Sequence, residues 1–310
     1  MMWNQMTLLF NDYTFQIVAL GTGFLGFLSG VIGTYATLKK ESLLGDALSH
    51  SALPGIGIGF LIIQSKELVG LLIGATISGL VATAIIQLMS KKSSVKFDSA
   101  LSLVLSSFFG LGLVIMTHIQ GRPNAQQAGL DSFIFGQASA MLVRDVCLIA
   151  IIGMIILLIV IVFWKEFKLF SFDPDFGRTL GFSGKFIEFI MSTMIVLTII
   201  LGLESVGVIL VSALLIGPSV AARQWSNKLG IVLPLAGAIG FISGILGTII
   251  SSVGNRIPTG PSIVVVLSIF VIGSLFFSPE RGIIAKRSTY KKQRKYFRKQ
   301  IELLEEEHEK

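Results

Sequence analysis

The residues best suited to chemistry in this 310-residue chain lie in the string Leu43-Leu44-Gly45-Asp46-Ala47-Leu48-Ser49-His50-Ser51-Ala52-Leu53-Pro54-Gly55. It sets a carboxylate and an imidazole four residues apart inside an apolar segment, and on a helix that spacing turns both to one face. Ionisable groups within an apolar span are costly and usually line a cavity or an ion path. Asp with His offers oxygen and nitrogen ligands to a divalent cation. Pro54 lacks the amide hydrogen that would bond to the His50 carbonyl, and Gly55, Gly57 and Gly59 soften the following turns. A carbonyl oxygen is thereby left for an ion or its water. The spacing fits a second reading equally well, with Asp46 capping a helix near the interface and His50 bonded to a neighbouring helix.

The elements that must hold this pair are membrane spans. Hydrophobic residues make up 53% of the chain and charged residues 14%, about half the charge of a soluble domain, and the apolar residues arrive in runs long enough to cross a bilayer. Spans are expected near Tyr13–Leu38, Leu43–Ile63, Leu68–Met89, Ser99–Thr117, Met141–Trp164, Phe186–Leu203, Val206–Ala222, Leu229–Ser252 and Pro261–Phe277. Between Glu188 and Arg223 the sole charge is Glu204, and one straight helix there would be roughly 50 Å long against a hydrocarbon core of about 30 Å. The chain should therefore reverse near Gly202 to Gly207, and whether the second arm spans or re-enters stays open. The fold class is all-α, a polytopic transmembrane bundle of about eight to nine spans. Residues 1–280 form the membrane domain and 281–310 a basic, then acidic, helical tail. The first apolar run lacks the features of a cleaved signal and is expected to stay as a span.

The charge pattern sets an orientation. Alternate inter-span loops and the C-terminal segment hold 21 of the 25 basic residues, and the opposite set holds only Lys66, Arg122, Arg144 and Arg256. Cytoplasmic loops carry the Lys and Arg excess, so the N-terminus should face outside and the C-terminus the cytoplasm of a bacterial cell. This distribution explains the net charge of +7 better than nucleic-acid binding does. Glycines four apart, such as Gly26 with Gly30, Gly70 with Gly74 and Gly240 with Gly244, indicate closely packed helices. The lone Cys147 excludes an intrachain disulfide and, in its uncharged run, is expected to be a small buried hydrophobe.

Gly45-Asp46-Ala47-Leu48-Ser49-His50 followed by Leu53-Pro54-Gly55 resembles the signature of bacterial ABC permeases for manganese, zinc and iron uptake. Further segments resemble that family in the same order: Phe97-Asp98-Ser99-Ala100-Leu101, Phe133-Ile134-Phe135-Gly136, Phe172-Asp173-Pro174, Glu204-Ser205-Val206-Gly207 with Ala213 to Pro218, and Pro258-Thr259-Gly260-Pro261. The resemblance runs from about Phe15 to Phe277, and the basic tail after Pro279 departs from it. It implies a permease subunit paired with a second one, identical or paralogous, around a pore. It also implies two cytoplasmic ATPase subunits and an extracytoplasmic metal-binding lipoprotein. Asp46 and His50 are then the metal ligands, and a symmetric pair would present two of each to one transported ion. Manganese is favoured over zinc, partly on the Phe133 to Gln137 segment, and no permanently bound cofactor is expected.

Asp173-Pro174-Asp175-Phe176-Gly177-Arg178-Thr179-Leu180-Gly181 reads as a short helix in a cytoplasmic loop, with Asp173 as cap, Pro174 at its first position and Gly181 ending it. Phe176 and Leu180 share a face. Such a helix suits the membrane surface, and its position resembles the coupling helix that docks on the ATPase. The chain has no Gly-x-x-x-x-Gly-Lys-Ser/Thr phosphate loop, so ATP hydrolysis falls to a partner and the subunit is not an enzyme. Glu204 serves either the ion path or the chain reversal. Tyr290, Arg294, Phe297, Ile301 and Leu304 form either a short heptad-like seam or one face of an amphipathic helix on anionic lipid. The rival function is a proton- or sodium-coupled secondary transporter in which Asp46 and His50 titrate. An intramembrane metalloprotease is disfavoured by the lack of a His-Glu-x-x-His pair.

Overall fold

The computed structural model describes residues 11–41, 43–64, 68–121, 138, 141–254, 257–285 and 294. Among these residues twelve α-helices follow in order: α1 (Tyr13–Leu38), α2 (Leu44–Ser51), α3 (Leu53–Ile63), α4 (Leu68–Lys92), α5 (Phe97–Gln120), α6 (Val143–Val162), α7 (Trp164–Phe172), α8 (Pro174–Thr179), α9 (Gly184–Val206), α10 (Val208–Trp225), α11 (Leu229–Val253) and α12 (Thr259–Phe277). Among the described residues no strand occurs, and nine helices, counting α2 with α3 as one, are long and apolar enough to cross a membrane. All nine expected spans are present, each within a few residues of its expected limits.

Helix α1 is the hub. Its most apolar stretch is 72% buried, and α6, α9, α10 and α11 all pack on it. Lipid tails are as apolar as the side chains, so helices in a bilayer associate through close packing rather than a hydrophobic drive. The expected glycines provide that closeness at α1 and α11, where a Cβ on Gly26 would lie 2.3 Å from the Gly240 carbonyl oxygen and one on Gly30 would lie 2.4 Å from that of Ala236. Across the same seam Thr22 Oγ1 lies 3.1 Å from Thr248 Oγ1. A second seam joins α3 to α4, where a Cβ on Gly55 would come within 2.1 Å of the Gly74 oxygen. Gly55 thus serves a helix crossing as well as a softened turn.

Helices α1, α10, α11 and α12 pack together, as do α2 to α5, and α2 touches α4, α5, α9 and α10. The segment bearing Asp46 and His50 therefore lies at the junction of the two groups. Helix α9 closes the same junction, and its chain reverses at Gly207, whose φ of 81° and ψ of 168° suit glycine. The second arm, α10, is a continuous helix of 18 residues, about 27 Å at 1.5 Å per residue and so about the thickness of the hydrocarbon core. The backbone of Glu204 lies in the last turn of α9; its side chain lies outside what the structure describes.

Two expectations are corrected. Cys147 is exposed rather than buried, because α6 lies on the outside of the bundle. Ile151, Met154, Ile155 and Leu158 continue its exposed stripe, so the thiol lies on the outer surface of the bundle. The loop expected after Trp164 is also more structured than the sequence indicated. It begins with α7, whose Phe167 is fully buried, ring-to-ring with Tyr35 at 5.7 Å and with Phe163 at 5.8 Å. The tail seam lies outside the described residues except for Arg294, and Phe133 to Gln137 lies outside them too.

Candidate functional site

Helix α2 buries Leu44, Gly45, Ala47, Leu48, Ser49 and Ser51 and leaves Leu43, Asp46 and His50 on its open face. Three hydroxyls bond to its backbone, one of them from a neighbouring helix. Ser49 and Ser51 donate back to the Gly45 and Ala47 carbonyls, both at 2.7 Å, and Ser78 of α4 donates to the Ser51 carbonyl at 2.6 Å. The helix begins at Leu43, which caps it with no side-chain hydrogen bond. Asp46 therefore lies inside the first turn rather than at the cap. That turn is a favourable place for a carboxylate beside the positive end of the helix dipole.

Asp46 Oδ1 and His50 Nε2 are 3.6 Å apart, with the side chains 52% and 23% exposed respectively. This exceeds hydrogen-bond range. It is close to the edge, about 3.4 Å, of a ligand tetrahedron with legs of about 2.1 Å around a divalent ion. His50 Nδ1 is buried with no hydrogen-bond partner, and the ring meets Phe109 of α5 edge to face, centroids 4.8 Å apart. Phe109 is the contact that sequence reasoning missed, because it lies on another helix and nothing in local spacing pairs it with His50. Among the described residues no three His, Cys, Asp or Glu side chains gather into a metal-holding group. Asp46 and His50 thus stand as two neighbouring donor groups on an open face.

Pro54 falls in the first turn of α3. The intervening Ala52 keeps helical angles, φ −72° and ψ −27°, so α2 and α3 continue as one interrupted helix. The Ala52 amide donates to Leu48 at 3.0 Å and the Ile56 amide to Ala52 at 3.0 Å. Proline at 54 removes the amide that the His50 carbonyl would otherwise receive.

At the end of the bundle where α2 begins, a cavity of about 540 Å³ is lined by Lys39, Lys40, Glu41, Lys91, Arg178 and Glu188 among others. The chain enters it through Lys40, which takes the left-handed φ of 62°, and Lys91 pairs with Glu188 across it. Burial pushes the half-buried Glu41 carboxyl above the ordinary glutamate range; Glu188 adds to the rise, and Lys39 and Lys91 oppose it. Folded Glu41 thus keeps its proton to higher pH than the unfolded chain does. Between the ordinary and the raised value the folded state binds more protons, and stability falls as pH rises. Glu41→Gln should therefore melt with wild type in acid and increasingly above it towards neutral pH. Thermal unfolding of the purified chain across that range tests this, and an unchanging gap would remove the burial penalty as its cause.

The short loop helix is as expected at both ends. Asp173 Oδ1 accepts the Phe176 amide at 2.9 Å, Pro174 opens α8, and Gly181 follows it with φ 86°. Gly177 is buried against the Phe170 ring of α7, where a Cβ would lie 2.9 Å from the ring. This packing fixes the helix so that Phe176 and Leu180 stand exposed at 53% and 55%. Pro174 and Arg178 of α8 line the same cavity as Glu41, which shortly precedes α2.

Nine helices long and apolar enough to cross a membrane, packed through glycine seams among the described residues, define a polytopic membrane protein. Residues 11–278 match the ABC 3 transport family. The chain is 44% identical over 299 residues to the zinc transport system membrane protein TroC of Treponema pallidum, covering 96% of this chain and 98% of that one. It is 42% identical over 271 residues to the manganese transport system membrane protein MntC of Bacillus subtilis, covering 87% of this chain and 62% of that longer relative. The structure of PsaBC from Streptococcus pneumoniae in complex with Fab aligns with 91% of this chain and 98% of its own, at a TM-score of 0.79 and 27% identity. This chain belongs to the ABC 3 transport family.

Proposed function

We propose that this chain is the membrane-spanning permease subunit of an ATP-driven importer for a divalent transition-metal ion, with Asp46 and His50 in contact with the ion. The carrying observation is the 3.6 Å approach of Asp46 Oδ1 to His50 Nε2 on the face that α2 leaves open. Relatives named for zinc and for manganese transport support a metal as cargo. Manganese is favoured and zinc or iron are the alternatives; oxygen and nitrogen ligands alone do not set the preference, because zinc binds most such sites more tightly. A second permease subunit, identical or paralogous, supplies the rest of the shell across the pore. Two carboxylates then offset the ion's double charge.

Helix α8, with Asp173, Pro174, Phe176, Gly177 and Leu180, is the docking helix for one of two cytoplasmic ATPase subunits, and an extracytoplasmic lipoprotein delivers the metal. Pro54 and Gly55 shape the pore-side interruption, and Glu204 lies at the reversal between two spans. The protein resides in the bacterial cell membrane with its N-terminus outside and its C-terminus in the cytoplasm, an orientation supported by the 21 of 25 basic residues on one side. The deciding experiment reconstitutes the chain with its genomic neighbours in vesicles and measures manganese and zinc uptake. Uptake should require ATP. Uptake driven by a proton or sodium gradient without nucleotide would favour the secondary transporter instead.

A further inference from the structure

A second cavity, of about 170 Å³, opens at the same end of the bundle, between the end of α1, the ends of α7 and α10, and the start of α11. Arg223 of α10 and Arg281, just past α12, both line it. Their charges repel each other. Among the described residues neither guanidinium has a carboxylate within ion-pair range: Arg223 Nη1 reaches only the Thr37 carbonyl, at 3.4 Å, and Arg281 Nη2 donates to the Asn227 side-chain oxygen. The nearest carboxylate in this network is Glu280, and it is occupied by the Asn227 amide.

The rim is fixed in place. Ser278 donates to the Gln224 carbonyl, and Trp225 Nε1 donates to Ser274 Oγ at 2.9 Å. These bonds tie the segment carrying Arg281 to the end of α10, which carries Arg223. Two like charges are thus held together beside an open cavity, where an anion would relieve their repulsion. The amino end of α11 at Leu229 adds to the same positive field. The remaining wall includes Leu38, Phe172, Leu229 and Val232, so the site is cationic on one side and apolar on the other.

We infer that this cavity binds a phosphate-bearing anion through Arg223 and Arg281, and that an anionic phospholipid headgroup is its occupant. Guanidinium pairs suit phosphate oxygens because their N–H groups form a fixed fork. Basic pockets between helices at the membrane surface suit lipid headgroups. The apolar wall favours lipid over free phosphate, since it can receive the beginning of an acyl chain. Phe172 directly precedes the cap of α8, so an occupant would touch the root of the helix proposed to dock the ATPase.

The test uses the full-length chain in phosphatidylcholine nanodiscs, with phosphatidylglycerol titrated in one arm and inorganic phosphate in the other. Native mass spectrometry and thermal unfolding are the readouts. Wild type should retain phosphatidylglycerol saturably and melt higher with it. Arg223→Gln with Arg281→Gln should weaken retention roughly tenfold or more, as expected for loss of a charge-assisted contact. Lys92→Gln at the end of α4 should change nothing. If the double glutamine variant does not insert, Arg223→Lys with Arg281→Lys should insert and bind more weakly than wild type, because it keeps the charge and loses the fork. Stabilisation by inorganic phosphate alone, abolished in the variants, would keep the phosphate site and overturn the lipid as its source. Wild type that binds neither, or binding indifferent to both arginines, would overturn the site.

Discussion

Asp46→Asn is expected to abolish metal uptake, or to reduce it roughly tenfold or more, while the protein stays inserted and assembled. A charge-assisted contact is worth about 1.5–3 kcal/mol, which is the scale of that loss. Asn preserves size and hydrogen bonding and removes only the charge. The structure makes this substitution more discriminating than the sequence could. Had Asp46 been the helix cap, Asn would have replaced it almost silently. The cap is Leu43, however, and makes no side-chain bond. Inside the first turn Asp46 can contribute at most a dipole interaction of about 0.3–1 kcal/mol, too little to account for lost transport. On the proposed ion site, His50→Ala should have a similar effect on uptake, and the double substitution should add little to the worse single one, as for two groups of a single site. His50 also packs on Phe109, so His50→Ala needs correction for assembled protein. Near-normal uptake by Asp46→Asn would remove the ion-site reading even if the importer assignment stood.

Local patterns were legible in the sequence, and the contacts between distant segments were not. Span positions follow from runs of apolar residues, a signal that each helix carries by itself, and a reversal near Gly202 to Gly207 followed from length, while its placement at Gly207 came from the structure. The helix at Pro174–Thr179 was marked by its own cap and stop residues, Asp173 and Gly181. Gly26 and Gly240 announced closeness, but the sequence did not pair them with each other, and the facing of α1 with α11 emerges only in three dimensions. The Phe109–His50 contact was hidden for the same reason. Cys147 was misplaced because an uncharged run looks alike whether it faces protein or lipid. Arg223 and Arg281 registered only as topology markers, since 58 positions separate them in the chain and the cavity between them is a product of the fold.

Phe176→Asp combined with Leu180→Asp should uncouple ATP hydrolysis from transport, the second large effect expected here. Both side chains are more than half exposed and neither supports the loop: the cap is Asp173, the buried contact is Gly177 on Phe170, and the turn is completed by Gly181. Charge at these two positions should therefore leave insertion and thermal unfolding close to wild type. An apolar docking contact that must accept two carboxylates loses its buried area and gains their desolvation cost, each on the order of a few kcal/mol. ATPase copurification and metal uptake should both fall roughly tenfold or more. Asp173→Asn provides the matched control, because Asn caps as well as Asp and leaves the exposed face untouched, so it should transport normally. If the double aspartate variant still binds a fully active ATPase and imports metal, α8 is not the docking helix. A loss that the Asp173→Asn control shares would instead place the contact at the carboxylate beside the Phe172 end of α7.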